Sequence, residues 1–263
     1  MSIALYIIFA QIAVGWWFIQ YLLAHQRGPK ASKRMLWFAG VLGIVAVAIA
    51  FGFEWLALSP KLDPSNPKLL HQLSTLQLAF NCLLIGVIEE LAKALPLTLF
   101  IYKKRYFNKL TDGIIYYGIA GMVFGVIESV GYTLSLGIGA GIAKIITGPF
   151  THASLSVLIG YSVARYKLQR KRSFWTIVIG LAAAIGLHGL YDFGLFTATG
   201  WGLLSSMIIT VVINGSVFVL FAKARRIDAA RGLGTIGNNL YCRSCGWPNP
   251  KHFMFCVQCG KRT

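Results

Sequence analysis

Seven stretches of this chain stay almost wholly apolar for about twenty or more positions, at about 3–24, 35–58, 71–102, 113–137, 142–164, 174–196 and 200–222. A bilayer-spanning helix needs about 20 such residues, so each stretch is long enough to cross. The third is longer and has room to tilt or to begin at the interface. The connections between them are short and alternately basic. The pattern predicts an all-α polytopic membrane protein of about seven transmembrane helices. The opening segment, Met1 to Leu23, has neither a basic leader nor a small-residue cleavage site, so it is expected to be a retained first helix.

Composition agrees with this. Of 263 residues, 56% are hydrophobic and 13% charged, where a soluble domain carries about 25% charged residues. The mean hydropathy is +0.65. A formal net charge of +17 would suit a nucleic-acid binder, but its placement argues otherwise. Arg27, Lys30, Lys33 and Arg34 follow the first span, Lys103, Lys104, Arg105 and Lys109 the third. Arg165, Lys167, Arg170, Lys171 and Arg172 follow the fifth. Lys223, Arg225, Arg226 and Arg231 follow the seventh, with Arg243, Lys251, Lys261 and Arg262 beyond. These are 21 of the 25 basic residues, against Lys61, Lys68 and Lys144 on the other side. Basic loops stay cytoplasmic, which places the N-terminus outside and the C-terminus inside a cell membrane. Nucleic acid is not an expected partner.

The chain divides into a membrane domain, 1–222, a basic linker, 223–240, and a small module, 241–263. No internal repeat is evident. Gly137, Gly139 and Gly141 lie in a turn between two spans and read as a tight connection, since a glycine run without strand and helix context is no phosphate loop. Gly121 and Gly125 have the small-xxx-small spacing that lets helices approach closely. The module carries Cys242-x-x-Cys245 and Cys256-x-x-Cys259, each pair followed by glycine. Two such knuckles supply four thiolates to a closed tetrahedral site, so structural zinc in a short ribbon is expected, with the metal supplying much of the folding energy. A cytosolic tail keeps its thiols reduced, which disfavours disulfides. His252 is read as a loop residue, and Cys82, alone in an apolar span, as packing.

The apolar segments are interrupted by Glu89, Glu90, Glu128 and Asp192, together with Lys93, His152 and His188. An ionisable group at the bilayer centre costs about 2.5–3.5 kcal/mol on insertion scales and is seldom there without a function. Glu89 and Lys93 are four apart and share one helix face, while Glu90 points about 100° away. That pair by itself could be a self-neutralising structural bridge. Glu128 has no partner on its own span and must face the interior. His188 and Asp192 again share one face. At about 1.5 Å of rise per residue, Glu128, His152 and His188 fall near mid-bilayer or in its outer half, and Glu89 and Glu90 can reach similar depth. Such a set can hold a water, remove its proton and return it to a leaving group. The same groups could bind a metal or relay protons. H-E-x-x-H, G-x-S-x-G and G-x-G-D are all absent, and an aspartyl dyad is unavailable, so hydrolysis would have to be built on glutamate.

In this order on successive spans, Glu89-Glu90-x-x-Lys93, Phe124-x-x-x-Glu128, His152 and His188-x-x-x-Asp192 resemble the PrsW family of intramembrane proteases, related to the CAAX prenyl protease and bacteriocin-processing superfamily. The resemblance covers about residues 35–222. It implies a bacterial or archaeal membrane endopeptidase that cuts membrane-tethered, single-pass proteins such as anti-sigma factors, of glutamic or metal-dependent type. It further implies that Glu89 activates water with support from Glu90, and that Lys93 keeps both ionised. Glu128 and His152 would position or deprotonate the water, and His188, oriented by Asp192, would stabilise the oxyanion. The prenyl protease branch ends its second motif in His and its last in Asn, so Glu128 and Asp192 make prenyl-protein cleavage unlike this chain's chemistry. The ribbon lies outside the family pattern and is expected to recruit a cytosolic partner or substrate. Two readings stay open beside the peptidase: a proton- or cation-coupled transporter, and a catalytically silent scaffold that works through its zinc ribbon.

Overall fold

The structure, a computed structural model, describes residues 3–26, 30–58, 72–104, 106–168, 173–197, 199–230, 239–241 and 248–250, with 255 and 262. Among these residues lie seven long helices: α1 Ile3–His25, α2 Lys33–Leu58, α3 Thr75–Ile101, α4 Leu110–Leu136, α5 Ile138–Leu168, α6 Trp175–Phe196 and α7 Gly200–Asp228. They match the seven apolar stretches, and α5 and α7 run several residues further than their hydrophobic pattern. The chain is a multi-pass membrane protein. Six helices are long and apolar enough to cross a bilayer; α3 falls short because Glu89, Glu90 and Lys93 interrupt it. At 27 residues it is about 40 Å long, so its length still suffices.

Two helices make the centre. α4 and α5 form a hairpin whose only connecting residue is Gly137, at φ 87°. That left-handed backbone strains any residue with a Cβ, so the one-residue turn depends on glycine. Gly139 and Gly141 continue into α5 and take no part in the turn. Around this hairpin, α2 packs on α3, α3 on α6 and α6 on α7, while α1 lies against both α4 and α5. Most of α4 is buried up to Gly125, and α5 is buried almost without break from Gly148 to Ala164. The outer helices expose Trp16, Phe51, Leu76, Leu99, Met207 and Val211. Apolar surface turned outward is the arrangement lipid requires. Exposed Trp37, Trp55, Trp175 and Trp201 lie near helix ends, where aromatic belts meet the interface.

The basic end is fastened by two buried aspartates. Asp228, at the end of α7, accepts the backbone N–H groups of Leu110 and Thr111 at 2.9 and 3.0 Å. These are orphan donors at the start of α4, so the carboxylate caps that helix from another one. Asp112 accepts from the N–H groups of Asn108 and Lys109 and pairs with Lys109 Nζ at 3.3 Å. Lys167 donates to the carbonyl of Tyr102, tying α5 to the end of α3.

Beyond α7, Asn239–Tyr241 pairs antiparallel with Pro248–Pro250, and Phe255 bridges Arg262. These short pairings flank the two C-x-x-C segments in sequence. Cys242, Cys245, Cys256 and Cys259 themselves lie outside the described residues, as does His252. Cys82 is a buried free thiol in α3, as a packing residue should be.

The Asp228 cap generates a measurable expectation. Asp228→Ala should lower the unfolding free energy by about 1–3 kcal/mol, the cost of stranding buried donors, and Asp228→Asn should recover much of it because the amide oxygen still accepts. Unfolding titrations in detergent measure this; equal losses for both variants would count against the cap.

Candidate active site

Glycine contacts set the helix spacing that brings the ionisable groups together. A Cβ on Gly86 of α3 would come to 2.8 Å from the Ile185 carbonyl oxygen of α6, so that face of α3 lies against the backbone preceding His188. On α4, a Cβ at Gly121 would meet the His152 carbonyl at 2.5 Å, and one at Gly125 would meet Pro149 Cα at 2.8 Å. The small-xxx-small pair is therefore a packing seam, as its spacing indicated, and what it seats is the turn of α5 that carries His152.

Lys93 lies at the centre of the cluster and is 1% exposed. Its ammonium reaches Glu90 Oε1 at 2.6 Å, Glu89 Oε2 at 3.4 Å and His152 Nδ1 at 3.1 Å. It also sits 4.4 Å from the centre of the Phe124 ring. The residue three places back, Glu90, is the closer partner, although helical spacing singled out Glu89. Both glutamates are buried, and Glu90 is held from two sides, because His188 Nδ1 lies 2.8 Å from the same oxygen.

The two imidazoles are 5.3 Å apart, edge to face. An ammonium only donates, so His152 Nδ1 accepts from Lys93 and Nε2 carries the proton directed at Glu128 Oε2, 2.7 Å away. This tautomer is inferred from the partners. By the same logic His188 gives Nδ1–H to Glu90 and turns Nε2 towards Glu89 Oε2 at 3.8 Å and Asp192 Oδ2 at 3.4 Å. The closer orienting contact on His188 is thus Glu90, and Asp192 is the more distant one. Glu128, which has no partner on α4, finds His152 and Lys144 on α5, the latter at 3.4 Å. All seven residues singled out in the sequence (Glu89, Glu90, Lys93, Glu128, His152, His188 and Asp192) converge on one site.

Two residues escaped the sequence reading. Lys144 was counted only as a basic residue on the outer side of the membrane; it lies inside α5 with 12% of its side chain exposed. The pattern began α5 too late, at 142, because Gly139 and Gly141 read as part of the connection before it. Glu54, near the end of α2, lies within electrostatic range of Glu89, Glu128, His188 and Asp192, and its buried Oε1 has no hydrogen-bond partner among the described residues. A glutamate inside an apolar stretch is a signal that was there to be read.

The family pattern implies a metal, and the donor set fits one. Glu89, His152 and His188 each offer one ligand atom, all within 4.8 Å of each other. His152 Nδ1 and His188 Nε2 lie 3.5 and 3.8 Å from Glu89 Oε2, and ligands about 2.0–2.1 Å from a tetrahedral ion sit about 3.4 Å apart. Each imidazole has a carboxylate on its other nitrogen, Glu90 or Glu128, as metal-bound histidines usually do. The carboxylates outnumber the lysines, which leaves the site able to accept positive charge. One contact must change for a metal to bind, since Lys93 uses the His152 Nδ1 lone pair.

Comparison with known proteins agrees with the geometry. The profile described as PrsW family intramembrane metalloprotease matches residues 31–222. Proteins named Protease PrsW are similar to this chain: that of Geobacillus kaustophilus is 25% identical over 56% of this chain and 62% of its own. Those of Shouchella clausii and Clostridioides difficile are 32% and 26% identical, over 50% and 49% of this chain and 60% and 56% of theirs. The chain thus spans about three fifths of the curated relatives it matches. No solved structure matches it.

The contacts of Lys93 predict a coupling. Lys93→Met should lower unfolding stability by about 3–5 kcal/mol, because it leaves buried carboxylates without their counter-charge. Adding Glu90→Gln should restore part of that loss. Strictly additive losses in the double variant, measured by denaturation in detergent, would show that the ammonium does not neutralise Glu90.

Proposed function

The chain belongs to the PrsW family of intramembrane metalloproteases, and we propose that it hydrolyses peptide bonds of membrane-tethered proteins at the Glu89–His152–His188 cluster. The observation that carries this reading is a buried arrangement in which Glu89, at the centre of the cluster, is held loosely while Glu90 and Glu128 are clamped. Glu90 is pinned by Lys93 at 2.6 Å and His188 at 2.8 Å, and Glu128 by His152 at 2.7 Å. Glu89 touches its partners only at 3.4 to 3.8 Å. It is the carboxylate best able to exchange a proton.

In this mechanism the oxygen of a water attacks the scissile carbonyl carbon, and Glu89 takes the water's proton. As the C–N bond breaks, Glu89 passes that proton to the amide nitrogen, leaving a carboxylic acid and an amine. Lys93 keeps Glu89 and Glu90 in the charged form between steps. Glu90 orients His188 through Nδ1, and Glu128 orients His152 through Nε2. Asp192 supports His188 from the Nε2 side. A divalent metal held by Glu89 through Oε2, His152 and His188 would supply Lewis-acid polarisation of the carbonyl, and proton transfer would then fall to the other Glu89 oxygen. Without the metal, His188 Nε2, when protonated, donates to the developing oxyanion. One nitrogen cannot do both, so metal dependence and an imidazolium oxyanion donor exclude each other here.

The finer assignments belong to the same proposal. The substrate is a single-pass membrane protein of the anti-sigma-factor kind. The basic loops orient the chain with its N-terminus outside and its tail in the cytoplasm. Cys242, Cys245, Cys256 and Cys259 hold a structural zinc, and the ribbon recruits a cytosolic protein or substrate.

In a reconstituted assay with a single-pass substrate, Glu89→Gln should reduce cleavage by about 100-fold or more while the protein remains folded. A fully active Glu89→Gln, Glu90→Gln double variant would rule the mechanism out. Chelation in a Cys242→Ser background, which removes the ribbon site, separates the two chemistries: loss of cleavage that added zinc restores supports the metal, and unchanged cleavage supports glutamate alone. Zinc analysis should also fall by about one ion per chain on Cys242→Ser, and an unchanged zinc content would refute the ribbon site.

A further inference from the structure

Lys144 belongs to none of the motifs above, yet it is tied to them in series. Its Nζ lies 3.4 Å from Glu128 Oε1, and the other oxygen of Glu128 lies 2.7 Å from His152 Nε2. The lysine also rests on the ring of Tyr132, 4.3 Å from its centre. Glu128 comes nine residues before Gly137 and Lys144 seven after it, so the one-residue turn of the α4–α5 hairpin brings them face to face. Lys93 closes on His152 from the opposite side, 3.1 Å from Nδ1. His152 therefore stands between two lysines, one acting directly and one through Glu128.

We propose that Lys144 is a positioning residue of the peptidase reaction, which anchors Glu128 so that this carboxylate fixes the ring orientation and tautomer of His152. The proposal rests on the peptidase reading above. A half-buried carboxylate facing only a neutral imidazole would have no opposite charge, and removing one partner of such a pair leaves the other uncompensated. With Lys144 in place, Glu128 holds both its oxygens in fixed directions, one towards Lys144 and one towards Nε2–H. The ring is then locked with Nδ1 directed inwards as a lone pair. That direction serves either chemistry, because the lone pair faces Lys93 or a metal in the same position. Tyr132 limits where the ammonium can go, and so transmits the geometry of α4 back to its own Glu128.

The test compares Lys144→Met with Lys144→Arg in the full chain. Lys144→Met should lower kcat by about 10- to 100-fold, the scale on which outer partners of an active-site histidine act. KM for the membrane substrate should stay within about twofold, and Lys144→Arg, which keeps the charge, should restore most of kcat. In parallel, 15N NMR of the His152 ring should show the Nε2–H form in the unaltered protein and Lys144→Arg, and a mixture of tautomers in Lys144→Met. If Lys144→Met does not fold, Lys144→Gln is read in its place. Unaltered kcat together with an unchanged His152 spectrum would overturn the proposal. The NMR readout needs no turnover, so an unaltered protein without peptidase activity would sink the function and still leave the clamp to be judged by its tautomer.

Discussion

A lysine ammonium that is 1% exposed in a membrane protein persists only because it is surrounded by acceptors. Lys93 has three within 3.4 Å, drawn from its own helix and from α5. Desolvating that charge is costly, and the cost is offset only when Glu89, Glu90 and His152 stand in these directions together. The ammonium faces His152 Nδ1 while Glu128 faces Nε2, so the two act on the tautomer of this ring from opposite sides. On its other flank the ammonium shares Glu90 with His188. Each imidazole is therefore oriented by a chain of contacts that passes through this one nitrogen.

Such a cluster cannot assemble unless four helices come closer than ordinary side chains allow. Gly86 lets α3 reach α6, and Gly121 with Gly125 lets α4 reach α5. Lipid gives no hydrophobic drive for helix association, so small residues and buried polar contacts must supply it. Here the two requirements coincide: the seams that bring backbones together also carry the groups whose pairing rewards the approach. The α4–α5 hairpin, closed by Gly137 alone, is the most constrained part of this arrangement. It sets the opposition of Glu128 and Lys144 and, with it, one side of His152.

The two ends of the bundle are organised differently. At the basic end, Asp228 and Asp112 satisfy backbone donors and fasten α7 to the start of α4, a structural use of buried carboxylates. Towards the other end, Glu54, Glu128 and Asp192 gather near His188, with Lys144 as the local counter-charge of Glu128 and Asp192. The contrast lies in their partners: Asp228 and Asp112 satisfy main-chain donors, and Glu128 and Asp192 pair with titratable side chains.

Helix number and type were legible in the chain, because twenty apolar residues in a row permit one structure in a bilayer and the residue count reports it. The ordered set from Glu89 to Asp192 was legible too, since charge in hydrocarbon is conspicuous. Pairing was not. Spacing favoured Lys93 with Glu89 and His188 with Asp192, yet the shorter contacts are with Glu90, because the burial of both glutamates and the approach of α6 decide them. Lys144 counted only towards the charge of the outer side, since hydropathy averages along the chain and cannot sense a partner on the neighbouring helix. Glu54 was visible as a charge but silent as to where it pointed. Sequence by itself determined which segments cross the membrane and which side chains are too polar for lipid. Only the tertiary structure decided who faces whom, because contacts between helices depend on close backbone approach at particular glycines, and no pattern within a single helix encodes the rotation of its neighbour.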